Sequence, residues 1–295
     1  MKSIDTLVSD IYDLFQKDYQ IPEDHIAEFG QTLAKHISNR VSEQKAGGKL
    51  RMSMLGQPLR KLWYSVNAPE LGEKLDGKTR FKFLYGDILE ALVLFLARQA
   101  GHSVEGEQDE IAIDGVLGHR DAIIDGRLVD VKSASPYGFN KFAHHELEKD
   151  DPFGYMEQIN AYLFASKDDP RLLDKERVAF LAIEKVNGTL ALDTYTAKNV
   201  DYTQRVKEIR AALQSSRPPE RCYPDVPVGA SGNRKLGVEC SYCAFKRACW
   251  PGLQTFHYAR GPVFFTHIEK EPRVERATWN EPNDDAPAVS VREEF

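Results

Sequence analysis

At 295 residues the chain can bury a full core as one elaborated domain or two small ones, and 42% apolar with 28% charged content is that of a globular protein rather than a disordered one. The longest apolar run, 88–97, contains Glu90 and is too short for a bilayer; the first residues lack a signal peptide's apolar stretch; and four cysteines confined to 222–249 do not make a secreted disulfide framework. A cytoplasmic protein without a membrane partner is expected. The net charge of −6 speaks against a nucleic-acid partner only in sum, because residues 269–295 hold eight acids and four bases and so carry −4 of it.

Residues 1–45 read as two helices, the first with Ile4, Leu7, Ile11, Leu14 and Phe15 at helical spacing. Ala46-Gly47-Gly48 breaks that pattern before a segment rich in bases and aromatics, 51–66. A long helix is predicted over 79–100, closed by Gly101, followed by strands within 110–132. A loop with Pro136, Gly138, His144 and His145 leads to a helix ending near Ala165. Strands over 178–185 and 190–195 and a helix over 200–213 complete this part, and Ser215-Ser216-Arg217-Pro218-Pro219 marks a boundary. Past His257 the Pro-, Asn- and acid-rich sequence reads as a flexible tail whose charge offers a contact for a protein partner. Basic clusters at Lys49, Arg51, Arg60 and Lys61, at Lys74, Lys78, Arg80 and Lys82, and at Arg234, Lys235, Lys246 and Arg247 permit DNA binding without requiring it.

The sharpest signal lies in 118–132. Asp125-Gly126 is a two-residue hairpin turn, and folding about it pairs Ile124 with Arg127, Ile123 with Leu128, Ala122 with Val129 and Asp121 with Asp130. Opposed side chains share a face about 5 Å apart, so the two carboxylates repel unless a cation lies between them. Alternation carries His119 and Lys132 to that face. Apolar neighbours on both faces predict a buried hairpin rather than a solvated one. Glu90, inside an apolar helix, is either paired or metal-bound, or it sits at the stripe's edge and reaches water. Packed on the hairpin it brings a third carboxylate, and together with the Val131 carbonyl the set suits Mg²⁺ or Mn²⁺. His119 is equally a ligand or a structural residue. Trp63, Tyr64 and Arg60 either clamp single-stranded DNA or belong to a core.

In order, the helical Glu90 in Gly86-Asp87-Ile88-Leu89-Glu90, Asp121 in Gly118-His119-Arg120-Asp121, Asp130-Val131-Lys132, and the Gln158 to Tyr162 pair in Gln158-Ile159-Asn160-Ala161-Tyr162 resemble the PD-(D/E)xK nuclease superfamily in its RecB-like branch. Cys240, Cys243 and Cys249 follow as C-x2-C-x5-C, which resembles the cysteine trio of the iron–sulfur nucleases, although Cys222 is the one thiol left as a fourth ligand. The resemblance covers about residues 50–255 and is nearest to small phage-type exonucleases. It implies an α/β, restriction-endonuclease-like core with a central mixed sheet flanked by helices. The expected divisions are a helical segment at 1–45, the core at 46–215, a cysteine segment at 216–257 and an acidic tail at 258–295. It implies metal-dependent DNA hydrolysis in recombination, repair or degradation, with Glu90, Asp121, Asp130 and the Val131 carbonyl holding Mg²⁺ or Mn²⁺. Lys132 would act on the attacking water, and Arg60, Gln158 and Tyr162 would contact DNA. Cys222, Cys240, Cys243 and Cys249 would hold a [4Fe–4S] cluster, with zinc as the alternative. Rival readings are a site- or structure-specific endonuclease on the same core, and a non-catalytic DNA-binding module.

Overall fold

Helix-period and strand-period segments alternate along the chain, and the computed structural model, which describes residues 2–42, 48–259 and 261–277, folds them in that order. The helices are α1 (Leu7–Gln16), α2 (Glu23–Ser42), α3 (Leu59–Asn67), α4 (Gly77–Gln99), α5 (Pro136–Ala143), α6 (Tyr155–Ala165), α7 (Tyr202–Leu213), α8 (Val238–Ser241) and α9 (Lys246–Cys249). The strands are β1 (Val104–Glu105), β2 (Glu110–Ile113), β3 (Val116–His119), β4 (Ala122–Ile124), β5 (Arg127–Ala134), β6 (Asp174–Glu184), β7 (Leu190–Thr196), β8 (Val226–Pro227), β9 (Arg234–Lys235), β10 (Gln254–Tyr258) and β11 (Gly261–His267). None of the described helices is long and apolar enough to cross a membrane.

The chain divides into two compact units. Among the described residues the first comprises 2–42, 50–56 and 79–209, and the second 48–49, 57–78, 210–259 and 261–277. The sequence places 57–78 in the same core as the hairpin; the structure assigns it to the second unit. The reason is local packing, since Tyr64 of α3 stacks on Phe245 with ring centroids 5.6 Å apart.

In the first unit a five-stranded mixed sheet runs β1-β4-β5-β6-β7. Only β5 and β6 are parallel. A parallel pair needs a crossover, and the segment carrying α5 and α6 supplies it. One sheet face (Ala122, Ile124, Val129, Val131, Ala179, Leu181, Ile183) is sealed by Ile4, Leu7 and Ile11 of the N-terminal segment and by Val93, Leu94 and Ala97 of α4. The opposite face carries Asp130 in register with Phe180, and Phe142 of α5 tilts against Phe180 at 5.6 Å. Both faces of the hairpin are therefore buried. Phe15, expected on the apolar stripe of the first helix, is instead 73% exposed.

Three other expectations change. The loop expected around Pro136 and Gly138 is helix α5: Pro136 sits in its first turn, and Ser135 Oγ accepts from the Gly138 N–H at 3.3 Å. Strands β2 and β3 form their own two-stranded sheet instead of extending the hairpin. Residues past His257 are not all tail, because β10 and β11 complete the second unit's sheet in the order β10-β11-β9-β8. The acidic remainder, 278–295, with the expected protein contact, lies outside the described residues.

Arg120, next to Asp121, is 1% exposed and is the largest fully buried side chain. It bonds Asp109 at 2.9 Å, Asp169 at 2.5 Å and Ser166 Oγ at 3.1 Å. Arg171 joins the same two acids. The cluster pins the end of α6 to the start of β4. Arg120→Ala, which removes a fully buried side chain and its charge-assisted bonds while Arg171 still pairs with Asp169, is expected to cost about 1.5–3 kcal/mol in urea denaturation. Asp109→Asn, at a side chain 41% exposed, should cost under about 1 kcal/mol.

Candidate functional site

The Asp125-Gly126 turn forms with both residues in the left-handed region, φ 47° and 81°. A Cβ on Gly126 would come within 2.8 Å of the Leu173 side chain, so glycine is required there twice over. The ladder is the one expected, with Ile124 opposite Arg127, Ile123 opposite Leu128 and Ala122 opposite Val129. The paired positions end at Ala122 and Val129; Asp121 lies just before β4, close enough to Asp130 on β5 for the two charges to interact.

Each carboxylate of the site has a local partner. Asp121 Oδ2 accepts from the Val131 N–H at 2.7 Å. Asp130, 2% exposed, accepts from Gln158 Nε2 at 3.3 Å on Oδ1. Its Oδ2 forms an ion pair with Lys132 Nζ. Glu90 of α4 is half-buried and accepts from Gln108 Nε2 at 2.6 Å, so it is paired rather than simply solvated. Burial, then the charge of Asp130, pushes the Glu90 carboxyl up to about 7. Burial, then Asp130 and Glu90, holds Asp121 well above the usual carboxylate range. Burial would lower Lys132, but Asp130 and Asp121 outweigh it and keep the ammonium charged above its ordinary range. That ammonium also lies 4.8 Å from the centre of the Tyr155 ring. The pocket thus holds three acids and one base, and it is short of positive charge.

Gln158 and Tyr162 share a face of α6, and Gln158 Nε2 donates to Tyr162 Oη at 3.4 Å. The sequence reads both as DNA contacts. The structure turns them onto the acids instead: Tyr162 is 4% exposed, and burial followed by Asp130 and Asp121 pushes its phenol up to about 12. Gly118 lets that ring approach, since a Cβ there would lie 3.0 Å from Tyr162 Cε1 and 2.7 Å from Met52 Cβ.

His119 does not join the carboxylate face. It lies on β3 with its Nε2 3.9 Å from Glu110 and its side chain 54% exposed. Strand alternation fails because Arg120 and Asp121 are not strand residues, and the chain changes sheet there. Gln108, Arg120 and Tyr155 touch or fix the site without any sequence signal, since each reaches it only through tertiary packing.

The donor chemistry fits a hard divalent cation: the charge of Asp130 adds to burial in raising the proton affinity of Asp121 and Glu90, and Lys132 sets one cation against the three acids. Among the described residues, however, no three His, Cys, Asp or Glu side chains stand in metal-ligating geometry. Asp121, Asp130 and Glu90 lie within electrostatic reach of one another while each is held by its own donor, so ligation requires these side chains to rotate.

In the second unit all four cysteines are free thiols, with Cys222 exposed and Cys240, Cys243 and Cys249 half-buried. Burial, then Cys243 and Cys249, pushes Cys240 up to about 11, with a smaller contribution from Cys222. Arg60, expected at DNA, donates from Nε to Cys249 Sγ at 3.1 Å and from Nη1 to the Pro219 carbonyl. Its neighbours are core residues, as Tyr64 is 7% exposed and Trp63 Nε1 donates to the Ser215 carbonyl at 2.8 Å.

The acids give the metal-free protein a defined pH response. Glu90 holds its proton to about pH 7 when folded but releases it near its ordinary value of 4.5 when unfolded. The unfolded chain binds fewer protons between these values, so stability falls as pH rises through that window, by on the order of 3 kcal/mol. Asp121 acts in the same direction. Urea midpoints in chelator should decline from about pH 5 to about pH 8. Glu90→Gln should flatten that decline.

No described protein family and no curated protein sequence matches the chain. Among solved structures it is similar to the crystal structure of SSO0001, at 21% identity over 77% of this chain and 96% of that one, with a TM-score of 0.42. It is also similar to a phage related exonuclease from Haemophilus somnus 129PT, at 15% identity over 57% of this chain and 93% of that one, with a TM-score of 0.36.

Proposed function

We propose that the chain is a metal-dependent deoxyribonuclease that degrades linear DNA from its ends. The observation that carries this reading is the buried hairpin that brings the charges of Asp121, Asp130 and Glu90 within reach of one another, with Lys132 paired to Asp130. Glu90, Asp121, Asp130 and the Val131 carbonyl would hold Mg²⁺ or Mn²⁺. Such an ion lowers the pKa of a bound water and offsets charge on the phosphoryl group. Lys132, kept protonated by the acids, orients that water and stabilises the developing oxyanion. Gln158 and Tyr162 fix Asp130 and keep bulk water from the inner side of the site. The helix, hairpin and D-x-K order, on a mixed sheet with one parallel pair, supports a restriction-endonuclease-like core.

For the second unit we propose a [4Fe–4S] cluster on Cys222, Cys240, Cys243 and Cys249. Support comes from the spacing of the trio and from the other three cysteines lying within electrostatic reach of Cys240. The Arg60 contact to Cys249 would help to hold thiolate charge there. Zinc on the same thiols is the alternative.

A time course on end-labelled linear DNA should show Mg²⁺-dependent products that EDTA abolishes, while covalently closed circular DNA stays intact. Cleavage of the circle would identify an endonuclease, and chelator-resistant binding without products a non-catalytic module. Asp130→Asn should abolish cleavage, and Lys132→Ala should slow it on the order of 100-fold or more while changing DNA affinity in Ca²⁺ far less. Independently of activity, Mg²⁺ should raise the melting temperature of the wild type near neutral pH and not that of Asp121→Asn.

Anaerobically purified protein should carry about four iron atoms per chain and absorb broadly in the visible. Stoichiometric zinc in colourless protein would refute the cluster and leave the nuclease reading in place.

A further inference from the structure

The stretch of α4 that precedes Glu90 carries an exposed surface of mixed character. Phe81 is 70% exposed and Tyr85 39%, and Lys82 stands exposed between them in sequence. Lys82, Gly86 and Glu90 follow one another at four-residue spacing, so one helix ridge connects Lys82 to the acidic trio about 12 Å away. Tyr85 Oη donates to the Lys185 carbonyl at 3.4 Å, tying this surface to the turn after β6, where Val186 is 69% exposed. The Lys185 N–H in turn bonds the Ala134 carbonyl at 3.0 Å, at the C-terminal end of the strand that carries Asp130 and Lys132.

The charge here is one-signed. The Lys185 ammonium is disfavoured by burial and by the nearby charge of Lys82. Asp87, the acid nearest on the helix, is engaged by Arg40 at 2.7 Å. Glu184, the acid nearest on the turn, bonds the N–H groups of Val186 and Asn187 at 3.0 and 2.8 Å. Two mutually repelling lysines between exposed aromatic rings are relieved by a polyanion that also offers flat apolar faces. A single nucleic-acid strand is such a polyanion, because its bases stack on rings without regard to sequence while its phosphates meet the cations.

We propose that Phe81, Lys82, Tyr85 and Lys185 form a landing platform for single-stranded DNA. Bases stack on the two rings, phosphates lie against the two ammonium groups, and the strand is led along α4 to Glu90, Asp121 and Asp130. This deepens the nuclease reading and rests on it for the identity of the strand.

The test is the affinity of the full-length protein for a fluorescein-labelled oligothymidylate, measured by anisotropy in Ca²⁺ across a salt series. Phe81→Ala should weaken binding about 5- to 100-fold, with Phe81→Trp restoring it. Lys82→Ala and Lys185→Ala should each reduce the slope of log affinity against log salt by about 0.7. Unchanged affinity and slope in all platform variants would overturn the proposal even if the wild type cleaves DNA. So would a dimer in sedimentation that Phe81→Glu dissociates without affecting DNA binding, since the face would then belong to a second copy. A wild type that binds through the platform but never hydrolyses DNA would support the platform and sink the nuclease reading.

Discussion

Asp121 and Asp130 repel each other at the open end of a buried hairpin. The turn fixes the register and Asp130 is buried on β5, while Asp121, half-buried just before β4, is held by the Val131 N–H. Much of the surrounding arrangement answers that repulsion. Lys132 supplies the counter-charge, Gln158 and the Val131 N–H hold one oxygen each, and Glu90 adds a third acid instead of relief. A sequence selected for stability alone would place apolar residues at these positions. A cation bound among the acids, as proposed, would relieve that repulsion.

Holding the acids together takes rigid supports, and these come from outside the hairpin. The buried Arg120 cluster fixes the backbone immediately before Asp121 to the end of α6, the helix whose Gln158 reaches Asp130. Packing of α4 on the other sheet face sets where Glu90 stands. The acids thus depend on two elements far from them in sequence, one through charge and the other through apolar contact. Each can be perturbed separately, which allows positioning to be told apart from chemistry.

The second unit has a different logic. Its sheet strands are short, and α8 and α9 have four residues each, so there is little periodic apolar surface to hold the cysteine segment together. Tyr64, Ala68 and Phe245 form a small cluster, and Glu73 pairs with the buried Lys246. A cluster or ion on the thiols would add folding free energy where apolar burial is thin.

The sequence by itself determined the local matters. Asp125-Gly126 has a turn chemistry that few other dipeptides satisfy, and strand alternation then fixes which residues face each other, so the register from Ile124–Arg127 to Ala122–Val129 was readable. Helical periodicity likewise located α4 and α6, and with them Glu90, Gln158 and Tyr162. What failed depended on where the chain leaves an element. His119 is one residue short of the point at which the chain changes sheet, and periodicity carries no information across such a break. The strand past His257, β11, pairs with β10 just before it and with β9 about 30 residues back, and composition reveals neither pairing. Only the tertiary structure decided that Arg60 faces a cysteine, that Tyr162 faces inward, and that Arg120 is buried among Asp109, Ser166 and Asp169. Those placements come from long-range contacts, whose free energy depends on the folded arrangement of the whole unit rather than on any window of sequence.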